Sequence, residues 1–231
     1  ADISIACWNY YCLTRDGQWL RTKAFPLMKA VADFWVSRVT RNDDGSYSIC
    51  NVVGADEYAN GVDDNAFTNG AAIRALEYAC EAARICNEPV PEIWEEVGKG
   101  IRILRFKDGV TREHATYNGE MIKQSDVNLL GYPLYFVGDA ESQKKDMEYY
   151  VDKIDPQNGP AMSYSVFCVQ YARMGDAKRA YEMFCRCYQP NLRAPFGVLA
   201  ETPTSDNPYF MTGAGGLLQA VISGFCGLQI T

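Results

Sequence analysis

The stretch NVVGADEYANGVDDNAFTNGAAIRALEYACEAARIC, residues 51–86, decides the fold. Its first part, 51–65, is dense in Asn, Asp and Gly and reads as a loop. From residue 66 the character changes. Ile73, Leu76, Cys80 and Ala83 recur on one side of a 3.6-residue period, which predicts a helix over 66–86. The chain as a whole reads as a succession of helices joined by a few long, polar, Gly-rich loops.

Towards the N-terminus, residues 2–14 are rich in apolar and aromatic types and stop at Arg15-Asp16-Gly17. Residues 18–38 carry Leu20, Leu27, Val31, Phe34 and Trp35 near helical spacing, and Pro26 is expected to kink or reset this run. Between 39 and 49, Asp44-Gly45 flanked by β-formers predicts a hairpin. Towards the C-terminus a short helix from Pro91 to about 104 precedes an irregular segment, 105–124. Helices are expected over about 125–137, 142–153, 161–174 and 176–188, with Asp176 as an N-cap. A second long loop, 189–212, leads to 213–228, whose Leu217, Leu218, Val221, Ile222 and Phe225 predict a helix buried on all sides. The chain therefore reads as all-α, with about nine helices and one small hairpin. No period of about 20–50 residues repeats, which disfavours a solenoid. Antiparallel helices with long loops at 39–65, 105–124 and 189–212 describe a helical toroid with those loops on one face.

Composition narrows the function. Of 231 residues, 48% are hydrophobic, enough for a large single core. The net charge of −7 and the lack of a basic stripe argue against nucleic acid and against an anionic membrane surface. No run reaches about eighteen apolar residues, so no transmembrane helix is expected. The nine cysteines are irregularly spaced and there is one histidine, His114, so no metal cluster is expected. Most of the cysteines sit in apolar helical runs and read as small buried hydrophobes, which favours a reducing compartment. The chain begins with Ala1 rather than Met, and the first residues already read as helix. We therefore expect a fragment or processed piece, whose targeting signal is not in view.

Three motifs carry chemistry. The first is Gly54-Ala55-Asp56-Glu57-Tyr58 with Val62-Asp63-Asp64-Asn65-Ala66-Phe67-Thr68-Asn69. A carboxyl beside an aromatic ring in a turn before a helix can be desolvated into a general acid. Asp56, Asp63 and Asp64 read equally as caps of the following helix. The second is Gly119-Glu120-Met121-Ile122-Lys123-Gln124-Ser125-Asp126-Val127, where Lys123 and Gln124 can donate to sugar hydroxyls or simply flank a helix start capped by Ser125. The third is Glu201-Thr202-Pro203-Thr204-Ser205-Asp206-Asn207 with Phe210-Met211-Thr212-Gly213-Ala214-Gly215-Gly216, a loop carboxylate ahead of glycines that permit close approach. Alone, each motif also fits a surface loop.

Together they resemble glycoside hydrolase family 65, over essentially the whole chain. The strongest matches are Gly54-Ala55-Asp56-Glu57-Tyr58 with Asn65-Ala66-Phe67-Thr68-Asn69, Ile122-Lys123-Gln124-Ser125-Asp126-Val127, and Glu201-Thr202-Pro203-Thr204 with Thr212-Gly213-Ala214-Gly215-Gly216. Family members usually have Pro at the position of Ala55 and often Asn at those of Asp63 and Asp64. The resemblance implies an (α/α)6 barrel acting on α-linked glucosides, with Glu57 as general acid and with Lys123 and Gln124 in the subsite for the released glucose. It also implies the branch with kojibiose hydrolases and the glucosidase that trims glucosyl-galactosyl-hydroxylysine, because Glu201 and Thr-Pro-Thr stand where phosphorylases build a phosphate pocket. A fixed carboxylate repels phosphate. The resemblance implies Glu201 as the general base, and inversion then needs it about 6.5–9.5 Å from the acid.

The same resemblance implies that about nine of the barrel's twelve helices are here. The remainder of the barrel, a Trp-Asp pair that grips the glucose, and a preceding β-sandwich are expected outside residues 1–231. The partners expected are an α-glucoside and the remainder of the polypeptide or a chain that completes the ring; a homodimer is left open. No cofactor is expected. The 231 residues alone are expected to be inactive. His114 and Tyr117 are candidates for reading the leaving group. The alternatives are an α-glucoside phosphorylase of the same family and a non-catalytic carbohydrate-binding protein.

Overall fold

The computed structural model describes residues 1–136, 139–207 and 209–230. Its helices are α1 (Asp2–Thr14), α2 (Gly17–Trp19), α3 (Phe25–Arg38), α4 (Ala66–Cys86), α5 (Glu92–Gly100), α6 (Ala140–Tyr150), α7 (Ser163–Arg173), α8 (Ala177–Arg186) and α9 (Met211–Gln219). Among the described residues none is long and apolar enough to cross a membrane.

Local sequence accounts for most boundaries. Asp16 caps α2, accepting from the Trp19 N–H at 2.9 Å. Pro26 does not restart the helix: a π-helical turn, Leu20–Ala24, absorbs the lost donor, and the chain runs on into α3. Asn65 caps α4, accepting from the Thr68 N–H at 2.9 Å and its hydroxyl at 2.8 Å. The capping alternative for the neighbouring acids is therefore wrong. Asp63 accepts from the Asn51 N–H, and Asp64 is buried and paired with Arg102. Asp176 caps α8, as expected, through the Arg179 N–H at 3.0 Å.

The hairpin around Asp44-Gly45 forms as β1 (Thr40–Arg41) against β2 (Tyr47–Ser48). A second hairpin, β3 (Leu192–Arg193) against β4 (Val198–Leu199), lies where only a loop was expected. Two residues per strand are too few to show alternation, but Gly197 at φ +66 turns the chain between them.

Two of the expected helices also differ. The helix over 125–137, whose last residue lies outside the described residues, is only a 3-10 turn, Val127–Leu130. Pro133 then lacks a donor, and Arg74 draws the Leu134 and Tyr135 carbonyls outward. Ser125 caps nothing; its hydroxyl donates to the Ser163 carbonyl at 3.2 Å. The second failure is 213–228, which is not buried on all sides. It forms α9 and a π-helical turn, Ala220–Phe225, packed on α7 and the residues just before it through Gly213, Gly216 and Gly224, with Ala220 buried. A Cβ on Gly224 would lie 3.3 Å from the Val169 Cα, so backbone meets backbone there. Small residues fill the contact, and the large ones are left outside: Leu218 is 62% and Phe225 46% exposed. Cys226 is exposed too, against the expectation for that run. All nine cysteines are unpaired, and four of them are buried.

The core has two lobes, joined by α4. One gathers Leu20, Met28, Leu76, Trp94 and Val97. The other gathers Ile122, Met147, Tyr150, Phe167 and Met183. Each large apolar side chain buried this way contributes about 1.5–3 kcal/mol. The second lobe lies beneath the loops that carry the site.

Candidate functional site

The loops at 51–65, 105–126 and 200–205 meet. The Ala66 N–H donates to the Glu113 carbonyl at 2.7 Å, and the Ala115 N–H to the Asp63 carbonyl at 2.9 Å. Asp126 is the fastener. Wholly buried, it accepts from the Ala55 N–H at 2.9 Å, the Asn65 Nδ2 at 2.9 Å, the Phe67 N–H at 3.2 Å and the Asp56 N–H at 3.4 Å. One carboxylate thus ties the loop before Glu57 to the first turn of α4. Gly54 makes room for this: a Cβ there would sit 2.3 Å from the Asn65 amide nitrogen.

On this base the predicted residues come together. Asp56 accepts from the Lys123 N–H at 2.7 Å and the Tyr58 N–H at 3.2 Å, so it grips both sides of Glu57. The Lys123 ammonium pairs with Glu57 Oε2 and lies 3.8 Å from Glu201 Oε1. The Glu57 contact is the main reason that the lysine pKa is raised. Two carboxylates remote in sequence therefore face one nitrogen. Gln124 also joins, but its amide nitrogen is spent on the Ala55 carbonyl at 2.5 Å, holding the loop.

Burial falls elsewhere than expected. The Glu57 side chain is 58% exposed, so the desolvated pocket foreseen for it is not there. Its neighbours are the buried acids. Glu113 is fully buried, and neither of its oxygens has a hydrogen-bond donor among the described residues. Burial, reinforced by the charges of Asp126 and Asp56, pushes its carboxyl up to about 9. Burial also raises Asp56 and Asp126, against the donors that hold their charged forms. Glu113 is thus a proton-holding neighbour of Asp56.

A pH test follows. An unfolded Glu loses its proton near about pH 4.3, whereas folded Glu113 keeps it to about 9. Between those values the folded state binds more protons, so this group's stabilisation is complete below the window and falls as pH rises through it. Urea midpoints at pH 5 and pH 8.5 should differ less in Glu113→Gln than in the unaltered protein. An unchanged difference would rule out the buried proton.

Sequence reasoning missed Asp126, Glu113 and Asp155. Asp126 stood inside a quoted motif but looked like a helix start. Asp155-Pro156-Gln157-Asn158-Gly159 carries a strong turn signal without any link to the site. The link becomes visible only in space: the Tyr58 hydroxyl donates to Asp155 Oδ2 at 2.8 Å. Of the two candidates for reading the leaving group, Tyr117 is wrong. It is buried and its hydroxyl donates to the Glu120 carbonyl at 2.8 Å. His114 is half-buried, with Nδ1 3.2 Å from the Thr116 hydroxyl. No group of three or more metal-ligating side chains occurs among the described residues.

Comparison with known proteins identifies the family. The family model for the "Glycosyl hydrolase family 65 central catalytic domain" matches residues 1–115. The kojibiose hydrolase of Mucilaginibacter mallensis is 49% identical over 231 residues, covering 100% of this chain and 34% of that protein. The protein-glucosylgalactosylhydroxylysine glucosidase of Dictyostelium discoideum is 38% identical, covering 100% of this chain and 33% of its own length. The chain thus spans about a third of the curated relatives that it matches. A solved structure named as a kojibiose phosphorylase from the human microbiome matches with a TM-score of 0.73 at 18% identity, over 99% of this chain and 39% of that one. The likeness shows a shared fold, that of part of an (α/α)6 barrel. With relatives matching it from end to end and the loop of Glu57 seated on that helical frame, the chain belongs to glycoside hydrolase family 65.

Proposed function

We propose that this chain carries the acid and base of an enzyme that hydrolyses α-glucosidic linkages with inversion. The observation that supports it is the meeting of Glu57 and Glu201 around Lys123. Glu57 would protonate the glycosidic oxygen as the bond to the anomeric carbon breaks. Glu201 would take a proton from the water that attacks the opposite face. Lys123 would exchange its carboxylate contacts for hydroxyls of the glucosyl unit, and Gln124 would line the same subsite while holding the loop. The substrate class is an α-linked glucose disaccharide or a glucosylated glycoconjugate, in keeping with the names of the relatives. The rest of the barrel and its sugar-gripping residues would come from sequence beyond these 231 residues, so the assays belong in the protein with its native flanking sequence.

Proton NMR of the first turnovers on kojibiose should show β-glucose appearing before mutarotation. Initial α-glucose would rule out inversion. Glucose 1-phosphate formed only when phosphate is supplied would establish a phosphorylase instead; Glu201 argues against that by repelling the anion.

A further inference from the structure

The residues between α6 and α7 touch every part of the site. Ile122 and Ile154 pair as a parallel bridge: the Ile122 N–H donates to the Lys153 carbonyl at 2.9 Å and the Asp155 N–H to the Ile122 carbonyl at 2.8 Å. That fixes the segment beside Lys123. Asp155 Oδ2 accepts from the Tyr58 hydroxyl at 2.8 Å, beside Glu57. On the other side, the Ala161 N–H donates to the Glu201 carbonyl at 3.0 Å, and the Gln157 carbonyl accepts from the Thr204 hydroxyl at 3.1 Å.

The segment is also stiff. Asp155 Oδ1 accepts from the Gln157 and Asn158 N–H groups at 2.8 and 3.0 Å, and Oδ2 from the Asn158 amide at 3.0 Å. These donors hold its carboxyl well below the usual range, so it stays charged at any working pH. Gly159 closes the turn, its N–H donating to the Asp155 carbonyl at 2.8 Å. A Cβ on Gly159 would lie 2.4 Å from that same carbonyl oxygen.

We infer that residues 153–161 are a strut that sets the gap between the acid loop and the base loop, with Asp155 as the positioning residue for the acid side through Tyr58. The inference rests on the reading of Glu57 and Glu201 as acid and base. It goes further by assigning their spacing to a segment that contributes no reacting atom. Cutting the Tyr58–Asp155 bond frees the acid side of the strut and leaves the Glu201 side, held by the Ala161 N–H, intact.

Substrates with different needs for acid separate these effects. Kojibiose has a sugar leaving group that must be protonated. α-Glucosyl fluoride expels fluoride with little acid assistance but needs the same water and base. Tyr58→Phe removes a single oxygen from an exposed side chain, and Asp155→Ala removes the acceptor. Both should lower kcat on kojibiose by about 10–100-fold, with KM changed far less. Tyr58→Phe should largely keep the rate on the fluoride, whereas Asp155→Ala, which also strips the acceptor from the Gln157 and Asn158 N–H groups, should lose part of it. The double variant should be no worse than the more impaired single variant, the mark of one shared contact. Equal losses on the two substrates in Tyr58→Phe, or additive losses, would make the role merely structural and overturn the inference. So would near-native kcat on kojibiose in both variants, if Glu57→Gln and Glu201→Gln made in parallel are inactive. Activity retained by those glutamine variants would instead overturn the site reading and the strut with it.

Discussion

Glu201→Gln is expected to lower kcat on kojibiose by about 10²–10⁴-fold while KM changes only a few-fold. The amide keeps the volume and can still accept a hydrogen bond, but it cannot take a proton from water. The backbone around it does not depend on the carboxylate: its carbonyl accepts from the Ala161 N–H at 3.0 Å and from the Asn191 amide at 3.0 Å. A folded, sugar-binding and inactive protein is therefore the expected outcome. Glu57→Gln should cost as much on kojibiose and much less on α-glucosyl fluoride, because fluoride departs with little proton transfer. The pair of profiles separates base from acid without any assumption about linkage. Steady-state kinetics on both substrates suffices, and activity within a few-fold of the unaltered protein in both variants would exclude the proposed roles.

The largest expected loss of stability is at Asp126. Its carboxylate satisfies the N–H groups of Ala55 and Phe67 and the Asn65 amide from a wholly buried position. Asp126→Ala strands these donors and opens a small void. Buried polar networks broken from one side cost about 3–5 kcal/mol. Asp126→Asn keeps the volume but points an NH2 at groups that are already donors, so it should rescue only part of the loss. Urea unfolding checks both, provided that the m-value stays constant. A loss below about 1 kcal/mol in Asp126→Ala, the worth of one ordinary hydrogen bond, would show that the clasp is not what holds the acid loop.

Long amphipathic runs were legible in the sequence. The α4 pattern and the cap at Asp176 follow from local chemistry, and the structure has them. The 125–137 run failed because Pro133, a local breaker inside it, removes a helix donor, and because Arg74 holds two of its carbonyls through tertiary contacts. The 213–228 run failed for a different reason. Its apolar residues were read as a buried surface, when its glycines were the buried surface. At the site, the motifs supplied Glu57, Lys123, Gln124 and Glu201, and resemblance rather than spacing gave them roles. Asp126, Glu113 and Asp155 act across long stretches of chain. A single sequence offers no periodicity or spacing rule for a carboxyl whose partners lie in other loops.

The packing of α9 on α7 has a bearing on how the cleft can adapt. The Phe210 N–H, at the head of α9, donates to the Leu199 carbonyl two residues before Glu201. The turn that continues that helix rests on α7 main chain against main chain, Gly224 on Val169, so the contact leaves little room to shift. Glu201 is thus mounted on the more closely packed wall. Accommodation of larger or differently linked sugars during evolution has to come from the opposite bank, where exposed side chains can be exchanged without shifting a helix axis.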